Sequence, residues 1–180
     1  PTILKVCKST GFQAVELRTT HKHGVEPTIS KSKRGEVKKQ FADAGIKIWG
    51  SGSVCQFHEN DPKVVSKNIE TCKAFVDLVH DLGGAGVKVR PNGFVKGVDK
   101  AKTLAQIGQA LIPCGKAAHS AGVEIWVEVH GNGTSEPAAM ATIMKECDHP
   151  SVGVTWNSNP TDIQNGSIKA GLELLKPWIK

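Results

Sequence analysis

Short apolar runs alternate with stretches of helical periodicity along the whole of this 180-residue chain. Residues 14–19, 46–51, 86–90, 123–129 and 152–156 read as strands. Their apolar content is nearly continuous, as expected where a strand is buried in a parallel sheet. Between them the apolar positions recur three and four apart. Val37, Phe41 and Ala44 predict a helix over residues 33–44. Val65, Ile69, Cys72, Val76 and Val79 mark a long helix that Asp61-Pro62 opens and Leu82-Gly83-Gly84 ends, aspartate capping free amides and proline fitting the first turn. Leu104, Ile107, Leu111 and Cys114 predict a helix over 101–120, which Pro113 should kink or split. Further helices are expected from Pro137 to about Cys147 and over 167–175, and residues 1–8 read as the back half of another.

Each strand follows a tight glycine or proline stop and runs into a longer polar loop. That alternation predicts an α/β fold, a parallel sheet with crossover helices. It also sorts the polar loops to the carboxyl ends of the strands, where barrels and open sheets both place their sites. A closed eight-unit barrel needs roughly 250 residues. About five consecutive βα units therefore fit a partial (β/α)8 TIM barrel, one domain over 1–180 truncated at both ends. An open doubly wound sheet fits the same pattern.

Composition narrows the classes. No apolar run approaches membrane-spanning length, and no low-complexity tract is present. A formal net charge of +6 suits a lysine-rich solvated surface better than a nucleic-acid site. Five cysteines form no C-x-x-C pair, and four of them fall in or near apolar positions of predicted helices, which suits reduced, buried thiols rather than a disulfide framework. A cytoplasmic location and, as an open question, a homo-oligomer are the corresponding expectations.

The candidate chemistry lies at the strand ends. Glu128 and His130 alternate on one strand and should point to one side. A carboxylate ending an apolar strand needs a partner. A divalent metal is one answer, and a salt bridge to Lys88 or Arg90 is another. Asn157 and Asn159 end the next strand, where an amide oxygen can bind a metal weakly or hold a sugar hydroxyl. Arg90 could hold a phosphate or carboxylate bidentately. His58, Glu59, His21 and His23 follow the second and first strands. His80, His119 and His149 lie on helices or at the opposite end and are set aside. Gly83-Gly84-Ala85-Gly86 precedes a strand, so it is not a phosphate loop.

Gly11-Phe12-Gln13-Ala14-Val15-Glu16-Leu17 resembles the second-strand opening of the xylose isomerase-like TIM barrels, the sugar phosphate isomerase/epimerase superfamily. The helix after Asn60-Asp61-Pro62, the strand Val87-Lys88-Val89-Arg90, the segment from Gly122 to His130 and Val152-Gly153-Val154-Thr155-Trp156-Asn157 are similar to it as well. The resemblance implies that Glu128 is a ligand of a divalent ion (Mn, Mg, Co or Zn) and one acid/base. Asn157 then occupies the second ligand position, where the family has aspartate, and Pro160 replaces a family histidine. Further family ligands would fall beyond Lys180. The zinc histidines of the endonuclease IV branch are not matched, which argues against DNA repair. The implied activity is metal-dependent isomerisation or epimerisation of a sugar or sugar phosphate by proton transfer next to a carbonyl. His58, Arg90, His130 and Asn159 would hold the substrate. The alternative is a non-catalytic or degenerate carbohydrate-binding barrel.

Overall fold

The computed structural model describes residues 2–180 and contains one five-stranded parallel sheet with helices between its strands. In chain order the elements are α1 (Thr2–Thr10), β1 (Ala14–Arg18), α2 (Lys31–Asp43), β2 (Lys47–Gln56), α3 (Pro62–Leu82), β3 (Gly86–Arg90), α4 (Lys100–Ala121), β4 (Glu124–Glu128), α5 (Pro137–Cys147), β5 (Val152–Thr155) and α6 (Lys169–Leu175). The spatial order is β1-β2-β3-β4-β5, with every pair parallel. A doubly wound sheet reverses direction at a switch point, and this one does not. Right-handed crossovers in unbroken order put all the helices on one face, which is the construction of a barrel wall. Ile179 continues the series through a parallel bridge to Val154.

Strand alternation divides the sheet into two chemistries. Leu17, Val87, Val89, Ile125, Val127, Val152 and Val154 face the helices and are almost wholly buried. They meet Phe75, Val79, Ile107, Leu111, Met140 and Ile143 in a single core. Their alternates, Glu16, Arg18, Lys88, Arg90, Trp126 and Glu128, face the other way, toward what is the lumen side of a barrel.

Helix ends follow their caps. Asp61 accepts from the Lys63 amide at 2.8 Å, Asp99 from that of Lys102 at 2.9 Å, and Ser30 from that of Lys33 at 3.2 Å. The Ser30 cap starts α2 at Lys31, two residues before the periodicity predicted. Pro113 neither splits nor ends α4, which runs unbroken from Lys100 to Ala121. The helix is packed along its length, with Leu104, Ile107, Leu111 and Cys114 all buried, and that contact outweighs one missing amide donor. β2 runs five residues past the expected end. Beyond Gly52 it is irregular against β3, and the Ser53 hydroxyl donates to the Lys88 carbonyl at 2.8 Å. A short 3-10 turn, Pro160–Asp162, and another, Lys176–Trp178, were not foreseen. Among the described residues no helix is long and apolar enough to cross a membrane.

Candidate active site at the carboxyl ends of the strands

Each strand brings side chains to the site by its two-residue repeat. β1 contributes Glu16 and Arg18, β3 contributes Lys88 and Arg90, and β4 contributes Glu128 and then His130 just past its end. Gly52 of β2 lies between Arg18 and Lys88 in the ladder. A cleft of about 210 Å³ opens among Arg18, Gly52, Ser53, Lys88, Arg90, Glu128 and His130. Glu128 and His130 are therefore together, as their spacing required, and Arg90 is with them.

The ion pairs differ from the expected ones. Glu128 pairs with neither Lys88 nor Arg90. The Lys88 ammonium is 2.9 Å from Glu16 Oε1 instead. Gly52 is what admits that carboxylate, because a side chain at position 52 would press on Glu16 Oε1. Glu128 Oε1 accepts from Asn157 Nδ2 at 2.5 Å. The amide oxygen cannot face the carboxylate at that distance, so the contact fixes the orientation of the amide. Asn159 is used structurally. Its Nδ2 donates to the carbonyls of Val129 and Asn157, both at 3.1 Å, and its own amide donates to Asp162 Oδ2 at 2.6 Å. It tethers the β5 exit to the end of β4 instead of offering donors to a ligand.

Two buried polar atoms lack a hydrogen-bond partner among the described residues on either side of Glu128: Arg90 Nε on β3 and Thr155 Oγ1 on β5. Thr155 is the direct ladder partner of Glu128. His58 stands apart. Its loop is pinned by Gln106 Nε2, which donates to the carbonyls of Phe57 and Glu59 at 2.8 and 2.9 Å. His58 Nε2 lies 3.5 Å from Glu59 Oε1, its Nδ1 is buried without a partner, and it does not line the cleft. His23 folds the β1 exit loop: Nε2 donates to the Arg18 carbonyl at 2.8 Å and Nδ1 accepts from the Val25 amide at 3.0 Å. The rim is closed by Gly131, at φ +100°, where a side chain would collide with Asn92 and Thr134.

Glu16, Arg18, Gly52, Ser53 and Thr155 were not among the site residues expected from the sequence. Glu16 and Arg18 repeat the i, i+2 spacing of Lys88/Arg90 and Glu128/His130, so the signal was there.

The fold's implied divalent ion finds a poor donor set. Among the described residues Glu128 is the one carboxylate lining the cleft and Glu16 is held by Lys88, the nearest amide turns its N–H toward Glu128, and Arg18, Lys88 and Arg90 share the cleft. Among the described residues no three His, Cys, Asp or Glu side chains converge as ligands. Glu128 and Asn157 on their own do not fit a divalent ion.

The structure is similar to D-psicose 3-epimerase from Clostridium cellulolyticum H10 solved with D-tagatose, at TM-score 0.82 and 16% identity over 99% of this chain and 64% of that one. A D-psicose 3-epimerase solved in the presence of D-fructose gives 0.80 and 19% over the same shares. The IolI protein with a binding zinc atom gives 0.77 and 19%, covering 93% of this chain and 60% of that one. The chain thus spans about 64% of the length of the two epimerases. No curated protein matches the sequence. The family match is direct: residues 4–159 fit the xylose isomerase-like TIM barrel. With five parallel strands in barrel order and a polar cleft at their carboxyl ends, the chain belongs to the xylose isomerase-like TIM barrel family.

Proposed function

We propose that this chain carries the proton-transferring part of a sugar isomerase or epimerase, with Glu128 as the base. The observation that carries the reading is the Glu128 carboxylate on the lumen face, beside His130 and Arg90, with unpartnered buried polar atoms on both flanks. The epimerases similar in fold support the substrate class. Glu128 would take the proton from the carbon next to a carbonyl. The negative charge that then develops on the enediolate oxygens would be met by a hydrogen bond from His130, with the positive charge of the nearby Arg90 guanidinium adding to the stabilisation. Thr155 Oγ1 and the Asn157 amide would orient hydroxyls and the base. Returning the proton to the neighbouring carbon, while the hydroxyl proton passes to the former carbonyl oxygen, gives isomerisation; epimerisation would need a second acid to deliver a proton to the opposite face. No step is routed through a metal, because the donor set does not fit one.

Exchange of the substrate carbon-bound hydrogen with solvent deuterium, followed by NMR on a panel of ketoses and aldoses, tests this. E128Q should lower the exchange rate by about 10²–10⁴-fold. Full exchange in E128Q removes Glu128 from the role. A carbohydrate-binding site without turnover is the second reading, favoured by the Asn157 amide held against Glu128. It predicts saturable sugar binding with no exchange in the unaltered protein.

A further inference from the structure

The two carboxylates nearest the cleft are both engaged, and neither engages an arginine. Glu16 is held by Lys88 at 2.9 Å and Glu128 by the Asn157 amide at 2.5 Å. Arg18 and Arg90 have no ion-pair partner among the described residues, and Arg90 Nε is buried with no acceptor at all. Leaving a guanidinium partly desolvated and unpaired is costly.

The ladder explains how the two arginines can serve one ligand. Arg18 is level with Gly52, and Gly52 is level with Lys88, one residue pair below Arg90. Adjacent strands lie about 4.8 Å apart and Arg90 is two residues farther along, so the arginines stand roughly 12 Å apart at the backbone, with a side-chain gap between them. Both line the same cleft as Glu128. Their long side chains can converge on a group of two or three oxygens seated over Gly52, in the bidentate geometry guanidinium favours.

We propose that the substrate of this site bears an anionic group, a carboxylate or a phosphate, held between Arg18 and Arg90. The proposal rests on the sugar-site reading above and narrows it from neutral sugars to sugar acids or sugar phosphates. Anchoring the anion over Gly52 directs the rest of the molecule toward β4, where Glu128 and His130 meet it.

Calorimetric titration of the unaltered chain at low ionic strength with D-fructose, D-fructose 6-phosphate and D-gluconate tests it. One or both anions should bind at least about tenfold tighter than D-fructose, the scale of one charge-assisted contact. Whichever anion wins identifies the group as phosphate or carboxylate. R18M and R90M should each abolish the preference. R90K, which keeps the charge and loses the fork, should retain part of it and guards against a folding artefact. Equal affinity for charged and neutral sugars, no binding of either anion, or a preference that survives both Arg→Met changes overturns the proposal. Deuterium exchange reads turnover separately, so loss of the isomerase reading leaves the anion result interpretable.

Discussion

Asn157 decides what Glu128 can do. An aspartate in its place would put two carboxylate oxygens about where Nδ2 and Oε1 now touch, and two like charges at that separation cannot both stay ionised without a cation. N157D should therefore respond to Mn more strongly than the unaltered chain. At a concentration about a hundred times the dissociation constant, a thermal midpoint rise of roughly 5–10 °C is expected for a domain of this size. No rise in N157D would show that Glu128 is not placed to share a metal. Glu128, His130 and Arg90 were legible in the sequence because the two-residue repeat of a strand puts them on one face. The turn of the Asn157 amide was not, since only its contact with Glu128 sets it. Nor was the use of Asn159 as a tether, because its acceptors are backbone carbonyls of two different strand ends. Glu124, at the other end of β4, carries a second residue-level expectation. Burial raises its carboxyl pKa, but the Trp126 indole N–H and the Lys180 ammonium together hold it below its ordinary value. The folded state then binds fewer protons than the unfolded one. The stability contributed is present above the unfolded value of about 4.3 and is lost as pH falls through the folded value. Urea midpoints between pH 6 and pH 3 should drop less in K180M than in the unaltered chain, and by a modest amount, because Glu124 is 37% exposed.

At the scale of elements, one aromatic residue explains two glycines. Trp126 lies on the lumen face of β4, its ring reaching across Gly86 of β3 to Gly50 of β2 and stacking on Trp49 at 6.0 Å. Trp49 is the extra residue where β2 slips against β1, since Val15 pairs with Ile48 and Glu16 with Gly50. The sequence placed Gly50 inside one strand and Gly86 at the start of another, with no reason for either to be glycine. Their common cause is an indole that no local pattern announces. G86A should therefore destabilise the fold by about 1–3 kcal/mol through overpacking against that ring, read as a lower urea midpoint at unchanged slope. Periodicity did better with the helices, because each has an amphipathic face that a window of a dozen residues reveals. It failed at Pro113, where burial of both flanking turns overrides a local rule. The cysteines follow the same logic: all five are free and buried. Burial pushes the Cys147 thiol up to about 12, the backbone hydrogen bond beside His149 opposing only part of it. The thiolate is the reactive form. Iodoacetamide at pH 8 should leave Cys147 unmodified in the native chain and label it in denaturant. Rapid native labelling would contradict its burial.

For the whole molecule, the unbroken strand order has a physical consequence. A barrel wall is covered by helices on one side only, so all of the close-packed core lies between strands and helices. The opposite face is charged at its carboxyl end, and it carries Trp49 and Trp126 at the other. Among the described residues β1 is paired on one side alone, and β5 meets only β4 and the single Ile179 bridge. An unpaired edge offers free amides and carbonyls to a neighbouring molecule. Phe12, 62% exposed just before β1, adds apolar surface beside that edge. Open strand edges were already implied by five strand–helix units; the exposure of Phe12 beside one of them was not, because hydropathy reports apolar residues without saying which stay uncovered. The 180-residue chain should accordingly associate as its concentration rises, with sedimentation velocity showing a growing fraction heavier than the 19.2 kDa monomer. F12K adds a charge next to the edge without touching the core, and surface changes of this kind usually alter stability by less than about 0.5 kcal/mol. It should shift the distribution back toward monomer while leaving the urea midpoint in place. A distribution that is monomeric at every concentration would mean that the charged lumen face keeps copies apart, and that an open edge alone is not enough to join them.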